Sequence, residues 1–275
     1  MDVRSFGRHP QTLLTHRVSS MRVGIVAEGR GDLAVITNIL KGALAIQSED
    51  IQYIRPEYYL DETDLHHQRS EQFGNCALVR DECQTGTRLQ AFLDSPVDDE
   101  GAPRILVIHV DTGEIGRADA VIQVQRPTKP TNVKRPQKQA KKSQRANDNA
   151  EVAQYSDEVV TRVSEQIRQW LGPNLTVHAR FAVAVEETEA WLLALHNNAS
   201  TDILPDPKAY LLRWLQQTND FTAKDKSRLS QMREFDRADQ LSKGFRNKKT
   251  LHAATQNNHS LAIFVESLPE NDKSD

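Results

Sequence analysis

Three short apolar runs that each end in an acidic residue constrain the fold of this chain more than any other feature of its sequence. The runs are residues 23–27, 104–110 and 179–185, and they end at Glu28, Asp111 and Glu186. Runs of this kind are typical of buried strands, and helical patterns separate them. We therefore predict an α/β fold with a mostly parallel sheet flanked by helices. Since parallel strands end at one edge of a sheet, we expect acids from distant parts of the chain to converge there.

Composition restricts the class of protein. A chain of 275 residues with 38% hydrophobic and 27% charged residues can bury one large core and still carry polar additions. The net charge of −3 does not by itself indicate a nucleic-acid binder. The two cysteines, Cys76 and Cys83, are too few for a disulfide framework or a cysteine-rich zinc site. With no apolar run near the roughly 20 residues that cross a bilayer, we expect a soluble cytoplasmic protein.

The chain divides into three parts by pattern. Residues 1–20 are expected to be a mobile arm, residues 21–196 an α/β core, and residues 197–275 a helical C-terminal region. Within the core, the pattern predicts a helix of about three turns from Asp32. It also predicts a strand at Ile51–Arg55 and an amphipathic helix at Glu151–Leu171.

A basic segment with three prolines interrupts the core between Arg126 and Arg145, and we expect a flexible insertion at residues 126–150. Two interpretations stay open, a solvated linker and an electrostatic arm for a phosphate backbone. In the second, binding should be insensitive to base sequence and weakened by salt. The candidate nucleic-acid-binding residues are Lys129, Lys134, Arg135, Lys138, Lys141 and Lys142.

The glycines after the first strand allow a competing interpretation. Gly29–Ala34 fits the dinucleotide fingerprint G-x-G-x-x-A, and it follows a strand and opens a helix as that motif requires. Against it, a pyrophosphate there would lie beside the carboxylates of Glu28 and Asp32, which repel it. A cation at the same place would reverse that repulsion.

Acidic side chains at strand ends suit a hard cation. Mg²⁺ takes one or two carboxylates and completes its shell with water and phosphate oxygens, so Glu28, Asp111 and Glu189 are candidate ligands. The alternative is helix capping, which is at least as good an interpretation for Asp32 and Glu187, both near predicted helix starts.

His109 precedes Asp111 by two residues, so in a strand both side chains face the same way. It is either a metal ligand or a hydrogen-bonded interior histidine, and the second is commoner in proteins. No Ser/His/Asp or Cys/His arrangement stands out in the sequence. A mechanism with a covalent nucleophile is therefore not indicated.

The segments Ile25–Asp32 and Glu189–His196, in this order and strand context, resemble the TOPRIM superfamily, the metal-binding α/β module of topoisomerases, DnaG-type primases and OLD-family nucleases. Within it they most resemble the RloB-like group of anti-phage defence proteins. The resemblance spans residues 22–196 and implies a TOPRIM-like sheet, with the basic segment as an insertion.

The resemblance also implies site residues. The family glutamate falls on Glu28, the first aspartate of the family's D-x-D motif falls on Asp111, and Glu189 is a possible further ligand. The second aspartate is missing, because Gly113 stands in its place. Glu114 would have to substitute from one position further along, or the site is inactive.

Two functional hypotheses follow. In the first, the protein is a nuclease that depends on Mg²⁺ or Mn²⁺, with Glu28, Asp111 and Glu189 as catalytic residues. In the second, it is a catalytically inactive subunit that binds nucleic acid or an ATPase as a sensor. In either case we expect DNA or RNA, an ABC- or AAA-type ATPase and further copies of this chain as partners, and no membrane.

Overall fold

The computed structural model describes residues 21–56, 76–96, 102–115, 117, 120–130, 142–196 and 200–270, with side chains of the helix that begins at Lys142 described from residue 149. The predicted arm at residues 1–20 lies outside these ranges. So does the stretch 131–141 of the predicted basic insertion.

The described residues form one four-stranded sheet in which neighbouring strands are all parallel. Its order is β2-β1-β3-β4. The strands are β1 (Arg22–Val26), β2 (Ile51–Arg55), β3 (Arg104–Asp111) and β4 (Ala179–Ala184). The prediction of an α/β fold with a parallel sheet is confirmed.

The strand register brings the acidic residues to one edge of the sheet. Val26 of β1 pairs with Ile108 of β3, and Asp111 of β3 pairs with Ala184 of β4. Glu28 therefore follows β1 at the level where β3 ends, and the residues after β4 leave the sheet beside Asp111. The expected convergence of strand ends is present.

Helices occupy most of the rest of the described chain. They are α1 (Arg30–Leu44), α2 (Cys76–Thr85), α3 (Thr87–Asp94), α4 (Lys142–Thr176), α5 (Thr188–His196), α6 (Pro207–Gln217), α7 (Ala223–Gln231), α8 (Glu234–Ser242), α9 (Lys248–Thr255) and α10 (His259–Ser267). In the part of the chain that the structure describes, no helix has both the length and the apolarity to cross a bilayer.

Two hydrophobic cores lie on opposite faces of the sheet, because side chains along a strand alternate between faces. Leu106 and Ile108 of β3 pack with α2, α3 and α4. Val107 points the other way and packs with α1, α5 and the C-terminal helices, including Leu241 and Phe264. The C-terminal helices thus share a core with α1 and the sheet.

Helix α4 begins at Lys142, earlier than the predicted start at Glu151. No proline follows Pro136 until Pro173, so nothing in the intervening sequence breaks a helix. The expected insertion at residues 126–150 therefore includes the first turns of α4. Gly172 takes a left-handed φ of 69° and interrupts the helix where the Gly-Pro pair predicted its end.

Asp202 joins α4 to the start of α10. Its carboxylate accepts hydrogen bonds from the backbone N–H groups of His259 (2.9 Å) and Ser260 (3.0 Å) and from the hydroxyl of Ser156 (3.2 Å). Asp202→Asn places an amide group among these donors and should lower the free energy of unfolding by about 1–3 kcal/mol, measured by urea denaturation. The control is Asp157→Asn, at an exposed carboxylate 3.0 Å from His259, where we expect less than about 0.5 kcal/mol. Equal losses in both variants would contradict this prediction.

Candidate metal centre

Glu28 and Asp111 meet directly at the edge of the sheet. The Oε1 atom of Glu28 accepts a hydrogen bond of 2.8 Å from the backbone N–H of Asp111. The structure therefore brings together two predicted site residues, one that follows β1 and one at the end of β3.

Asp32 of α1 completes a cluster that sequence analysis did not assemble. Its Oδ2 atom accepts a 2.9 Å hydrogen bond from the backbone N–H of Gly29, as the capping interpretation predicted. One ligand atom each from Asp32, His109 and Asp111 also lies within 4.8 Å of the others. These three residues can hold a metal ion, and the partly exposed carboxylates of Asp32 and Asp111 leave the cluster open to solvent.

His109 lies fully buried beneath the two carboxylates. Its Nε2 atom is 2.9 Å from Oγ1 of Thr188 and 3.4 Å from Oδ1 of Asp111. Its Nδ1 atom is 4.0 Å from Oδ2 of Asp32 and has no hydrogen-bond partner among the described residues. The interpretation of His109 as a hydrogen-bonded interior residue is therefore right for one ring nitrogen only.

Thr188 holds Asp111 in place, and sequence analysis missed it. Its backbone N–H and its hydroxyl both donate hydrogen bonds of 2.9 Å to Oδ1 of Asp111. The signal was a threonine at a predicted helix start, which on its own indicates a helix cap rather than a partner for an acid on another strand.

The carboxyl groups of the cluster repel one another, so positive charge at this place is favourable. Burial and the charge of Asp111 raise the pKa of Glu28 to about 8 and that of Asp32 to about 6. Burial opposes protonation of His109, but Asp32 and Asp111 outweigh it and raise the pKa of this imidazole to about 9. A proton or a cation at this place stabilises the arrangement.

The acids that follow β4 have separate roles. Burial, followed by the charge of Asp111, raises the pKa of Glu189 to about 7. Glu189 is therefore affected by the charge of the cluster, but it does not belong to the group of Asp32, His109 and Asp111 that can hold a metal ion. The carboxylate of Glu187 accepts a 3.3 Å hydrogen bond from the backbone of Lys208 and thus supports α6 rather than its own helix.

Glu114, the predicted substitute for the missing second aspartate, points into solvent. Its side chain is 76% exposed and lies 3.1 Å from Arg117. A Cβ atom at Gly113 would lie 3.3 Å from the carbonyl oxygen of Glu186, so a side chain there would require the backbone after β4 to shift by a few tenths of an ångström. Glycine fits this position without that shift.

The basic segment is tied to the end of β4. The ammonium group of Lys129 lies 2.8 Å from Oε1 of Glu186, and Arg126 contacts the same oxygen and donates a 2.8 Å hydrogen bond to the hydroxyl of Tyr155. A groove of about 590 Å³ opens here between residues 125–130 and α4. Lys142 lies on α4, though its side chain is not described; Lys134, Arg135, Lys138 and Lys141 lie outside the described residues.

The turn at Gly29–Ala34 bears on the dinucleotide interpretation. A Cβ atom at Gly31 would lie 3.2 Å from a carboxylate oxygen of Glu234, which extends from α8. A pyrophosphate at this turn would therefore meet a further carboxylate besides Glu28 and Asp32. The surroundings favour a cation over an anion.

Comparison of the chain with protein-family models, with curated proteins and with solved structures found no match. Fold and site alone thus define the class, an α/β protein with a candidate metal centre where the strands of its parallel sheet end.

Proposed function

We propose that this protein is a divalent-cation-dependent nuclease of the TOPRIM type that hydrolyses phosphodiester bonds at the acidic edge of its sheet. The observation that carries the proposal is the contact between Glu28 and Asp111, with Asp32 and His109 beside it. Carboxylates from the loop after β1, from the end of β3 and from α1, grouped where solvent reaches them, are the ligands that Mg²⁺ or Mn²⁺ uses in phosphoryl chemistry.

The residues have distinct roles in this proposal. A bound cation would orient the phosphate and lower the pKa of a bound water. Asp111, fixed by two hydrogen bonds from Thr188, is a ligand whose carboxylate cannot rotate freely. Glu28, whose pKa is raised to about 8 in the metal-free protein, would accept the proton of the bound water once a bound cation favours its charged form. Glu189, the second residue of α5, supplies further negative charge.

The basic segment supplies the affinity for substrate. Lys129 and Arg126 border the groove beside α4, and more lysines and arginines follow them in the chain. Clustered cations release counterions when they neutralise phosphates, so binding should weaken steeply with salt and depend little on base sequence. The resemblance extends the proposal to anti-phage defence in the cytoplasm, with an ABC- or AAA-type ATPase as partner.

The test is cleavage of plasmid DNA, RNA and tRNA by the purified full chain. We expect cleavage with Mg²⁺ or Mn²⁺, none with EDTA, and a reduction of at least about 100-fold in Asp111→Asn. Asp225→Asn, at an exposed capping residue of α7, is the control and should cleave like the wild type. Cleavage that survives EDTA or Asp111→Asn would contradict the proposal.

A second candidate is a non-catalytic subunit that binds nucleic acid or an ATPase. The close approach of the Glu186 backbone to Gly113 favours it, because a second aspartate there would require that backbone to shift by a few tenths of an ångström. This alternative predicts no turnover with either cation. It also predicts a stable complex when the protein is co-purified with the product of a neighbouring gene.

A further inference from the structure

One ring nitrogen of His109 is buried and has no hydrogen-bond partner among the described residues. The Nδ1 atom is inaccessible to water, and Oδ2 of Asp32 lies 4.0 Å from it. That separation is too long for a hydrogen bond. Nδ1 is therefore a buried nitrogen that faces the acidic cluster and has no hydrogen-bond partner in the part of the chain that the structure describes.

The hydrogen bonds around Thr188 define the tautomer of His109. The Thr188 hydroxyl donates its one proton to Oδ1 of Asp111, so its oxygen accepts the N–H of Nε2. In the neutral imidazole the lone pair is then on Nδ1. This is the arrangement of metal-binding histidines, in which a partner on one nitrogen orients the other towards the ion.

The distance between Nδ1 of His109 and Oδ2 of Asp32 leaves space for an ion that contacts both atoms. Zinc, for example, binds imidazole nitrogen and carboxylate oxygen at about 2.0–2.2 Å each, so an ion nearly in line between the two atoms spans up to about 4.2 Å. The observed separation of 4.0 Å fits that span.

We infer that His109 binds the cation through Nδ1, and that Asp32, His109 and Asp111 form a mixed nitrogen and oxygen site for a first-row transition ion, for which Mn²⁺ is a spectroscopic probe. This deepens the proposed function, because it concerns the cation of the same centre. Mg²⁺ favours an all-oxygen shell with several waters, whereas imidazole is a good ligand for transition ions. Mn²⁺ should therefore bind more tightly than Mg²⁺, and this preference should depend on His109.

The test is electron spin echo spectroscopy of Mn²⁺ bound to the full chain without nucleic acid, together with calorimetric titration of Mn²⁺ and Mg²⁺. A coordinated imidazole should produce ¹⁴N modulation, which ¹⁵N-histidine labelling of the unchanged protein should convert to the ¹⁵N pattern. His109→Gln should remove the nitrogen modulation and the preference for Mn²⁺. His252→Gln, at an exposed histidine on α9, should keep both.

The outcomes separate this inference from the nuclease proposal. Bound Mn²⁺ without nitrogen modulation, or equal affinities for the two ions, overturns the inference and leaves a carboxylate-bound cation for the nuclease. Nitrogen-coordinated Mn²⁺ in a protein that cleaves no nucleic acid supports the inference and overturns the nuclease proposal. Absence of Mn²⁺ binding at millimolar concentration overturns both.

Discussion

Glu28→Gln is expected to raise the free energy of unfolding of the metal-free protein by about 1–3 kcal/mol at pH 7 and to reduce cation-dependent cleavage by at least about 100-fold. Burial and Asp111 disfavour the charged form of Glu28. A glutamine removes that charge, and its amide oxygen can still accept the hydrogen bond from the Asp111 backbone. Stability and activity should therefore change in opposite directions.

The pH dependence follows from the same carboxylate. The folded protein keeps the Glu28 proton until its raised pKa of about 8, whereas the unfolded chain releases it near the ordinary value of 4.5. Between these values the folded state binds more protons, so the free energy of unfolding of the wild type falls as pH rises. The advantage of Glu28→Gln should vanish below about pH 4.5 and grow towards pH 8.

Urea denaturation with EDTA at several pH values from 5 to 8 measures this difference. A cation that binds only the folded state adds about 2.7 kcal/mol at 100 times its dissociation constant, so Mn²⁺ should stabilise the wild type more than Glu28→Gln. Glu266→Gln, on the exposed side of α10, is the control and should change stability by less than about 0.5 kcal/mol. A Glu28→Gln protein that is less stable than the wild type at pH 7 would contradict the account of Glu28.

Gly42→Ala is expected to destabilise the protein by about 3 kcal/mol or more. A Cβ atom at Gly42 would lie 1.9 Å from the backbone carbonyl oxygen of Phe245, so α1 and the turn Lys243–Arg246 would have to separate. The gain of about 1 kcal/mol from replacing a helical glycine does not offset this.

Thermal unfolding of Gly42→Ala and of Gly31→Ala compares two glycines of the same helix. At Gly31 a Cβ atom would meet only the flexible side chain of Glu234, at 3.2 Å. We expect Gly31→Ala to melt close to the wild type and Gly42→Ala to melt far below it. Similar melting temperatures of the two variants would contradict this prediction, because they would show that the backbone at Phe245 moves away from α1 at little cost.

The sequence predicted the sheet well because each strand carries its own local signal. The strand at Ile51–Arg55 was located at its observed bounds, and the strand that ends at Asp111 was located within one residue. Continuous apolar runs that stop at a charge are hard to place anywhere except inside a parallel sheet. The convergence of Glu28 and Asp111 then followed from topology.

The rest of the centre depends on contacts that no local pattern encodes. In the sequence, helix capping is enough to explain Asp32, and an interior position is enough to explain His109. Neither residue's local sequence therefore indicates that their side chains face each other. Thr188 meets Asp111 only because β3 and β4 are neighbours. Glu114 was chosen for its distance in sequence, but the turn that carries it points outward. The TOPRIM resemblance stays a prediction.

The core that α1 shares with the C-terminal helices has a consequence for how the chain can be divided. A fragment that stops at His196 would keep every acid of the centre, yet it would expose the apolar side of α1 that Leu241 and Phe245 now cover. Such a fragment should aggregate rather than act as a minimal enzyme. The metal centre and the C-terminal helices therefore depend on one shared core and cannot be separated into independent fragments.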